Sequence, residues 1–164
     1  MPSLQASLPA LARYTCPMFE SLLRRLLAPG PAPLPDPDAR LSLAALLVRL
    51  ARSDGDYGPA ELARIDAVLC SRYGLSPFEA ARLRAEAERL EAEAPDTVRF
   101  TRAIKDHVPH EDRLGIIEAL WEVALADGRR DAEENGLMRL VAPLLGIDDV
   151  ASALARQRVE ARLP

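Results

Sequence analysis

Apolar residues recur along this chain at spacings of three and four, and no stretch alternates as a strand would. The pattern predicts seven helices separated by short turns that carry glycine, proline or aspartate. We expect them over residues 39–53, 59–73, 76–94, 97–106, 110–126, from 131 to the glycine at 146, and 149–162. Apolar residues point almost all round the first helix, which is typical of a central buried helix. The predicted fold is therefore all-α, in a single domain.

One part of this pattern occurs twice. Residues 45–61 and 118–134 align without a gap at an offset of 73 residues. In each copy an apolar segment runs into alanine, two further residues and then Asp-Gly, and a glutamate follows six residues after the glycine. This predicts an internal pseudo-two-fold duplication within one domain. The helices over 39–53 and 110–126 would then pack together at the core, with the helix after each folding back over them.

The repeat pairs Asp54 with Asp127 and Glu61 with Glu134. Both aspartates fall in the last turn of a predicted helix, where the helix dipole disfavours a negative charge by about 0.3–1 kcal/mol. The same unfavourable placement in both copies indicates compensation or use. Clustered carboxylates suit a hard cation such as Ca²⁺ or Mg²⁺. The candidate ligands are Asp54, Glu61, Asp127 and Glu134, with Asp56, Asp131 and Glu133 as secondary candidates.

Two other interpretations of these carboxylates stay open. They can cap the helix starts and accept amides across the turns, which needs no ligand. They can also form a metal-free acidic surface that binds a basic protein partner. The spacing is not that of an EF-hand, because the alternating Asp/Asn ligands and the glutamate at the twelfth position are absent.

Composition and motifs narrow the function further. A formal charge of −4 and only 4% aromatic residues disfavour nucleic-acid binding. No nucleophile–base arrangement or phosphate-binding loop is present, so we predict that the chain is not an enzyme. A carboxylate–metal enzyme is the weakest alternative. His107 and His110 have no Cys or further His at zinc-binding spacing, and we interpret them as part of a surface turn.

The chain divides into three regions. Residues 1–17 are weakly patterned, residues 18–37 hold a short amphipathic stretch and a proline-rich linker, and residues 38–164 form the helical domain. No apolar run approaches the roughly 18 residues of a membrane span. The amphipathic stretch, residues 19–27, would give only marginal peripheral contact with a membrane. The two cysteines form no framework, so we expect a cytoplasmic protein.

Several of these residues carry a resemblance to a known family. Residues 51–55 with Glu61, residues 72–77, residues 99–102 and residues 121–128 with Glu134 resemble, in order, the bacterial tellurite-resistance TerB-like family. The chain looks closest to its stand-alone, uncharacterised branch. Members of that branch often begin with a segment like Met18-Phe19-Glu20, so residues 1–17 are hypothesised to come from an upstream start codon.

The resemblance implies an all-helical domain with an internal duplication. It also implies a part in stress response beside other tellurite-resistance components, near the membrane and linked to metal. The function expected from residues and resemblance together is a non-enzymatic protein-interaction module that binds a divalent cation through its duplicated acidic turns.

Overall fold

The computed structural model describes residues 38–53, 55, 57–126 and 132–163, except for the side chain of Glu133. Seven α-helices and one 3-10 turn make up this part, and it contains no strand, so the predicted all-α fold is confirmed. The helices are α1 (Ala39–Arg52), α2 (Pro59–Tyr73), α3 (Pro77–Glu93), α4 (Thr97–His107), α5 (Arg113–Ala124), α6 (Ala132–Leu144) and α7 (Asp149–Arg162). The regions predicted for residues 1–17 and 18–37 lie outside the described residues.

Helix α1 is the centre of the domain, as its sequence predicted. Leu43, Leu46, Leu47 and Leu50 have no exposed surface, and the alanines between them are also buried. Helices α3 and α4 make the most extensive contacts with α1, and α5 also packs against it. The expected contact between α1 and α5 is therefore present, but α3 and α4 cover more of the central helix. The internal duplication itself stays a prediction from the sequence.

Local capping chemistry sets the ends of most helices. Helix α2 ends at Gly74, which adopts the left-handed conformation at φ 63° that glycine accepts without steric cost. Two residues later the Ser76 hydroxyl accepts the Glu79 amide while Glu79 accepts the Ser76 amide, a reciprocal capping box. Asp96 and Asp148 cap α4 and α7 with a single bond each, in which the carboxylate accepts the amide three residues on.

The fifth predicted helix starts later than the sequence pattern indicated. Residues His110–Asp112 form a 3-10 turn, and α5 begins at Arg113. The Arg113 guanidinium donates to the carbonyl oxygens of Val108 and Lys105, at 2.9 and 3.1 Å. These carbonyls belong to the end of α4, where a cation is favoured by the helix dipole. The contact fixes the connection between α4 and α5, where residues 110–112 form a 3-10 turn instead of the first turn of an α-helix.

The apolar periodicity of the sequence predicts that Leu137, Leu140, Val141 and Leu144 form the inner face of α6, and the structure shifts that face by one position. Met138, Val141 and Leu145 are buried, whereas Leu140 is 51% exposed. Consecutive helical residues point about 100° apart, so a small rotation of the inner stripe moves Leu140 to the surface.

The core between α5 and α7 contains Trp121, the only tryptophan of the chain. Its ring is 7% exposed and its Nε1 donates to the Ser152 hydroxyl at 3.4 Å. The Arg156 guanidinium lies 5.3 Å from the ring centroid, within the range of a cation–π contact. Trp121 is thus held by α7 through its edge and through its face.

Candidate functional site

Glu61 occupies the third position of α2. The helix starts at Pro59, whose fixed φ and missing amide hydrogen suit the first helical position. Glu61 Oε2 accepts the Gly58 amide at 2.9 Å, so this carboxylate does cap its own helix. That bond occupies one acceptor position of a group with about four, so capping leaves the carboxylate able to bind a ligand.

Glu134 occupies the third position of α6 and is 8% exposed. It therefore has the same place in its helix as Glu61 has in α2, as the repeat predicted.

Glu61 and Glu134 line the same cleft. Its volume is about 320 Å³, and its other lining residues are almost all small and apolar. They are Ala51, Ala60, Ala63, Ala67, Val123 and Ala126, with Arg64 as the third charged residue. The cleft is therefore an alanine-walled depression, and among the residues that the structure describes its charged groups are two carboxylates and one guanidinium.

Arg64 is the cationic residue among the described residues that line this cleft. Its Nε donates to the backbone carbonyl of Glu122 at 3.2 Å, which ties the middle of α2 to the last turns of α5. One guanidinium against two carboxylates leaves a formal excess of one negative charge among the described lining residues.

Most of the predicted ligands lie outside the described residues. These are Asp54, Asp56, Asp127 and Asp131, together with the side chain of Glu133. Within the described part, no three His, Cys, Asp or Glu side chains are grouped as a metal site would require. Glu61 and Glu134 therefore need further oxygens to hold an ion, and the two Asp-Gly turns are where the sequence places them. The donor set contains only oxygen, which fits a hard cation rather than zinc.

A second charged cluster joins α2, α3 and Tyr57, and the sequence indicated only one of its pairs. Arg84 of α3 donates from Nη1 to Glu88 at 2.6 Å and from Nε to Asp66 of α2 at 2.7 Å. The Tyr57 hydroxyl donates to the same Glu88 carboxylate at 2.7 Å. The four-residue spacing of Arg84 and Glu88 in the sequence predicts a pair on a solvated helix face. Their pairing is present, but Asp66 and Tyr57 partly cover it.

The pKa shifts in this cluster follow from its hydrogen bonds. The bond to Asp66 raises the pKa of Arg84 further above its ordinary value, despite partial burial. Burial, followed by the Glu88 contact, raises the pKa of Tyr57. Burial would raise the pKa of Glu88, but the hydrogen bonds from Tyr57 and Arg84 outweigh it and lower that pKa below 4.5. At neutral pH the carboxylate is ionised and the tyrosine is a neutral donor.

A model of the family described as tellurite resistance protein TerB matches residues 40–157. The chain belongs to the TerB family. The matched range runs from the start of α1 into α7 and includes both acidic turns and both cleft glutamates. The family and the all-helical fold that the resemblance implied are thereby confirmed. No curated protein and no solved structure matches the chain significantly.

The two histidines and Cys70 of this TerB-family chain make contacts with the rest of the fold. His107 and His110 are exposed, as a surface turn predicts, and hydrogen-bond the carbonyl oxygens of Ala103 and Gly146. Cys70 is a free thiol packed against the core. Among the helices of the described residues, none is both long and apolar enough to cross a membrane, in agreement with the absence of a predicted span.

Proposed function

We propose that this TerB-family domain is a non-enzymatic protein-interaction module that binds one divalent cation between its two acidic turns. The observation that supports it is the presence of Glu61 and Glu134, the equivalent glutamates of the repeat, in one cleft. Asp54 and Asp127 complete the ligand set, and the preferred ions are Ca²⁺ or Mg²⁺. The bound ion would neutralise carboxylates that otherwise repel one another and would fix the surface offered to a partner.

The lining of the cleft supports a role without catalysis. Its charged residues are two carboxylates and a guanidinium, and no Ser, Thr, Cys, His or Lys lines the described part of it. Covalent catalysis by a hydroxyl, thiol or amine needs such a nucleophile beside a base, and the described walls provide none of these nucleophiles. We further propose that the protein acts in the cytoplasm in a stress response related to tellurite resistance, through a protein partner.

Thermal unfolding of the full chain tests whether a cation binds. Chelated protein is compared with protein in Ca²⁺, Mg²⁺, Mn²⁺ or Zn²⁺. At a concentration about 100 times Kd, binding to the native state adds about 2.7 kcal/mol to the free energy of unfolding. We expect Ca²⁺ or Mg²⁺ to raise the midpoint, and Asp54→Asn and Asp127→Asn to abolish the increase.

The control for these substitutions is Glu86→Gln, which removes one negative charge from an exposed position on α3. It should leave the cation-dependent shift intact. An unchanged midpoint in every ion would refute cation binding.

A second candidate is a metal-free acidic docking surface for a basic partner. Arg64 favours it, because the cleft already contains a cation of its own. Two results together would establish this alternative. The unfolding midpoint would be insensitive to EDTA and to all four ions, and a partner would bind in a salt-sensitive way to the wild type but not to Glu61→Gln.

A further inference from the structure

A groove lies between α6 and α7. Helix α7 packs mainly against α5, and its contact with α6 is less extensive. The α6–α7 groove has a volume of about 640 Å³, twice that of the alanine-walled cleft. The groove and the cleft share no lining residue. The chain therefore has a second concave surface that is distinct from the cleft.

The floor of this groove is apolar. Trp121, Met138 and Ala142 line it, and each is less than a tenth exposed. Pro143 of α6 and Ala153 of α7 also line the groove and are exposed, and neither has a long side chain. Another chain can therefore approach the floor closely. An apolar floor between two helices is typical of a groove that receives apolar side chains.

The apolar surface continues onto the outer side of α7. Val150 and Leu154 are 71% and 48% exposed, and both lie within one helical turn of Ala153. Single exposed apolar residues are common on any protein, but two on one helix beside an apolar groove indicate a contact surface. A partner seated in the groove can therefore gain further apolar contact on α7.

Two guanidinium groups line this groove from opposite helices, Arg139 from α6 and Arg156 from α7. Arg139 is five residues from the end of α6, and Arg156 is seven residues from the start of α7. At 1.5 Å per residue, both lie roughly 7–11 Å along their helices from the connecting turn. The two guanidinium groups therefore belong to the same level of the groove.

These positive charges are only partly offset. Among the lining residues Asp149 is the acidic one, and it lies at the start of α7, beside the connecting turn. Arg156 donates to Glu160 at 2.9 Å, whereas the exposed Arg139 pairs with no acidic side chain of the described residues. The lining residues thus carry a formal excess of one positive charge on a chain whose formal charge is −4. Charge complementarity favours an acidic occupant.

We propose that the α6–α7 groove binds an amphipathic helix of a protein partner whose apolar side chains are flanked by carboxylates. Apolar residues at spacings of three and four enter the groove, and a carboxylate of the partner lies between Arg139 and Arg156. The lining residues of α6 span positions 135–143, about 12 Å, which accommodates two turns of a helix. This develops the protein-interaction role proposed above and does not depend on cation binding.

Other anionic partners fit this surface less well. Nucleic acid is bound through several phosphate contacts, and one excess positive charge does not supply them. A membrane surface is broad and flat, whereas the apolar floor here is recessed between two helices. A narrow apolar segment with a carboxylate matches both the shape and the charge.

The test measures binding of a synthetic peptide to the full chain in EDTA. The probe is a fluorescein-labelled helical peptide with leucine at spacings of three and four and glutamate at the flanking positions. The comparison peptide has lysine in place of glutamate. By fluorescence anisotropy, we expect the acidic peptide to bind about tenfold more tightly than the basic one, with an affinity that falls as salt is added. Absence of binding, or equal binding of the two peptides, would overturn the proposal.

Arg139→Glu should weaken binding of the acidic peptide about tenfold or more, because an attractive charge becomes a repulsive one. The matched control is Arg102→Glu, the same change at an exposed position on α4 that does not line the groove. It should alter the affinity less than about twofold. Equal losses in the two variants would show general attraction to the charge of the chain and would refute a specific groove.

The shape of the groove is tested without a change of charge. Ala153→Gln narrows the groove and should weaken peptide binding, whereas Ala161→Gln, at an exposed position farther along α7, should not. The thermal midpoint of each variant establishes that it is folded. Binding that survives Ala153→Gln unchanged would place the peptide elsewhere on the chain.

Two further measurements examine other occupants. The free chain is analysed by sedimentation velocity, and its binding to phosphatidylserine vesicles is measured by co-sedimentation. Dimerisation or vesicle binding that is lost in Arg139→Glu would overturn the proposal in favour of a second copy or a membrane surface. Because the peptide is bound in EDTA, failure of the cation site leaves this test unaffected. Failure of the peptide to bind, in turn, leaves the cation-dependent unfolding shift to be decided separately.

Discussion

Glu61 and Glu134 are 73 residues apart in the sequence and line one cleft, each from the third position of its helix. This placement accompanies the packing of α2 against α5. Two local sequence features thereby contribute to one surface.

A single shared cation site predicts that substitutions of Glu61 and Glu134 have coupled effects on cation affinity. Glu61→Gln and Glu134→Gln should each weaken cation binding about tenfold or more, because each removes a charged ligand. Glutamine at position 61 still offers an oxygen to the Gly58 amide, so the helix cap is kept. Calorimetric titration should give one ion per chain and a double variant weaker than either single variant, but by less than the product of the two effects. Two ions per chain with independent losses would show separate sites instead.

Core packing makes a prediction about stability. Phe100 has no exposed surface, so Phe100→Ala should lower the free energy of unfolding by about 3–5 kcal/mol. Leu140→Ala, at a position 51% exposed, should change it by only about 0.5 kcal/mol. Urea denaturation with the slope held common to both variants measures the difference. Equal losses would contradict the orientation of α6 described above.

Two glycines should respond differently to substitution by alanine. Gly74 has φ 63° and open space around it, so Gly74→Ala should destabilise by about 1–2 kcal/mol through backbone strain alone. At Gly115 an added Cβ would lie 2.9 Å from Arg72 Nη1, the mobile end of a long side chain. Arg72 can move aside, and alanine gains about 0.5–1 kcal/mol within a helix. Gly115→Ala should therefore be neutral or stabilising, and thermal unfolding of both variants checks the contrast.

The Glu88 cluster predicts a dependence of stability on pH. Because the pKa of Glu88 in the folded state lies below 4.5, its ionised carboxylate stabilises the fold above that pH. The contribution is lost as pH falls from 4.5 through the folded-state pKa. Glu88→Gln should be less stable than wild type near neutrality, and the two should converge in acid. Urea midpoints from about pH 6 to about pH 3 test this, and a constant gap would refute the assignment. The same reasoning applies to Glu118, because hydrogen bonds from Arg158 and Arg162 outweigh the effect of burial and lower the pKa of Glu118 as well.

Features governed by neighbouring residues were accessible from the sequence. The seven helices and most of their bounds, including the start of α3 near Ser76 and the end of α2 before Gly74, depend on contacts within a few residues, and they were predicted. The third-position placement of Glu61 and Glu134 followed from the same local reasoning.

Features set by the crossing of helices were not accessible. The pairs Tyr57–Glu88 and Arg52–Glu91 join residues 31 and 39 positions apart. Their formation depends on which face α3 turns toward α1, and no local pattern determines that. The spacing of Arg84 and Glu88 indicated an ion pair but gave no sign that Asp66 would cover it.

The enclosure of Trp121 between α5 and α7 gives this chain a built-in optical probe. Being the only indole, and touching Ser152 and Arg156, it should emit at short wavelength in the folded state and shift to longer wavelength when α7 separates from α5. It does not line the alanine-walled cleft. Its fluorescence therefore follows the opening of the C-terminal helix without being quenched or shifted directly by an ion bound between Glu61 and Glu134.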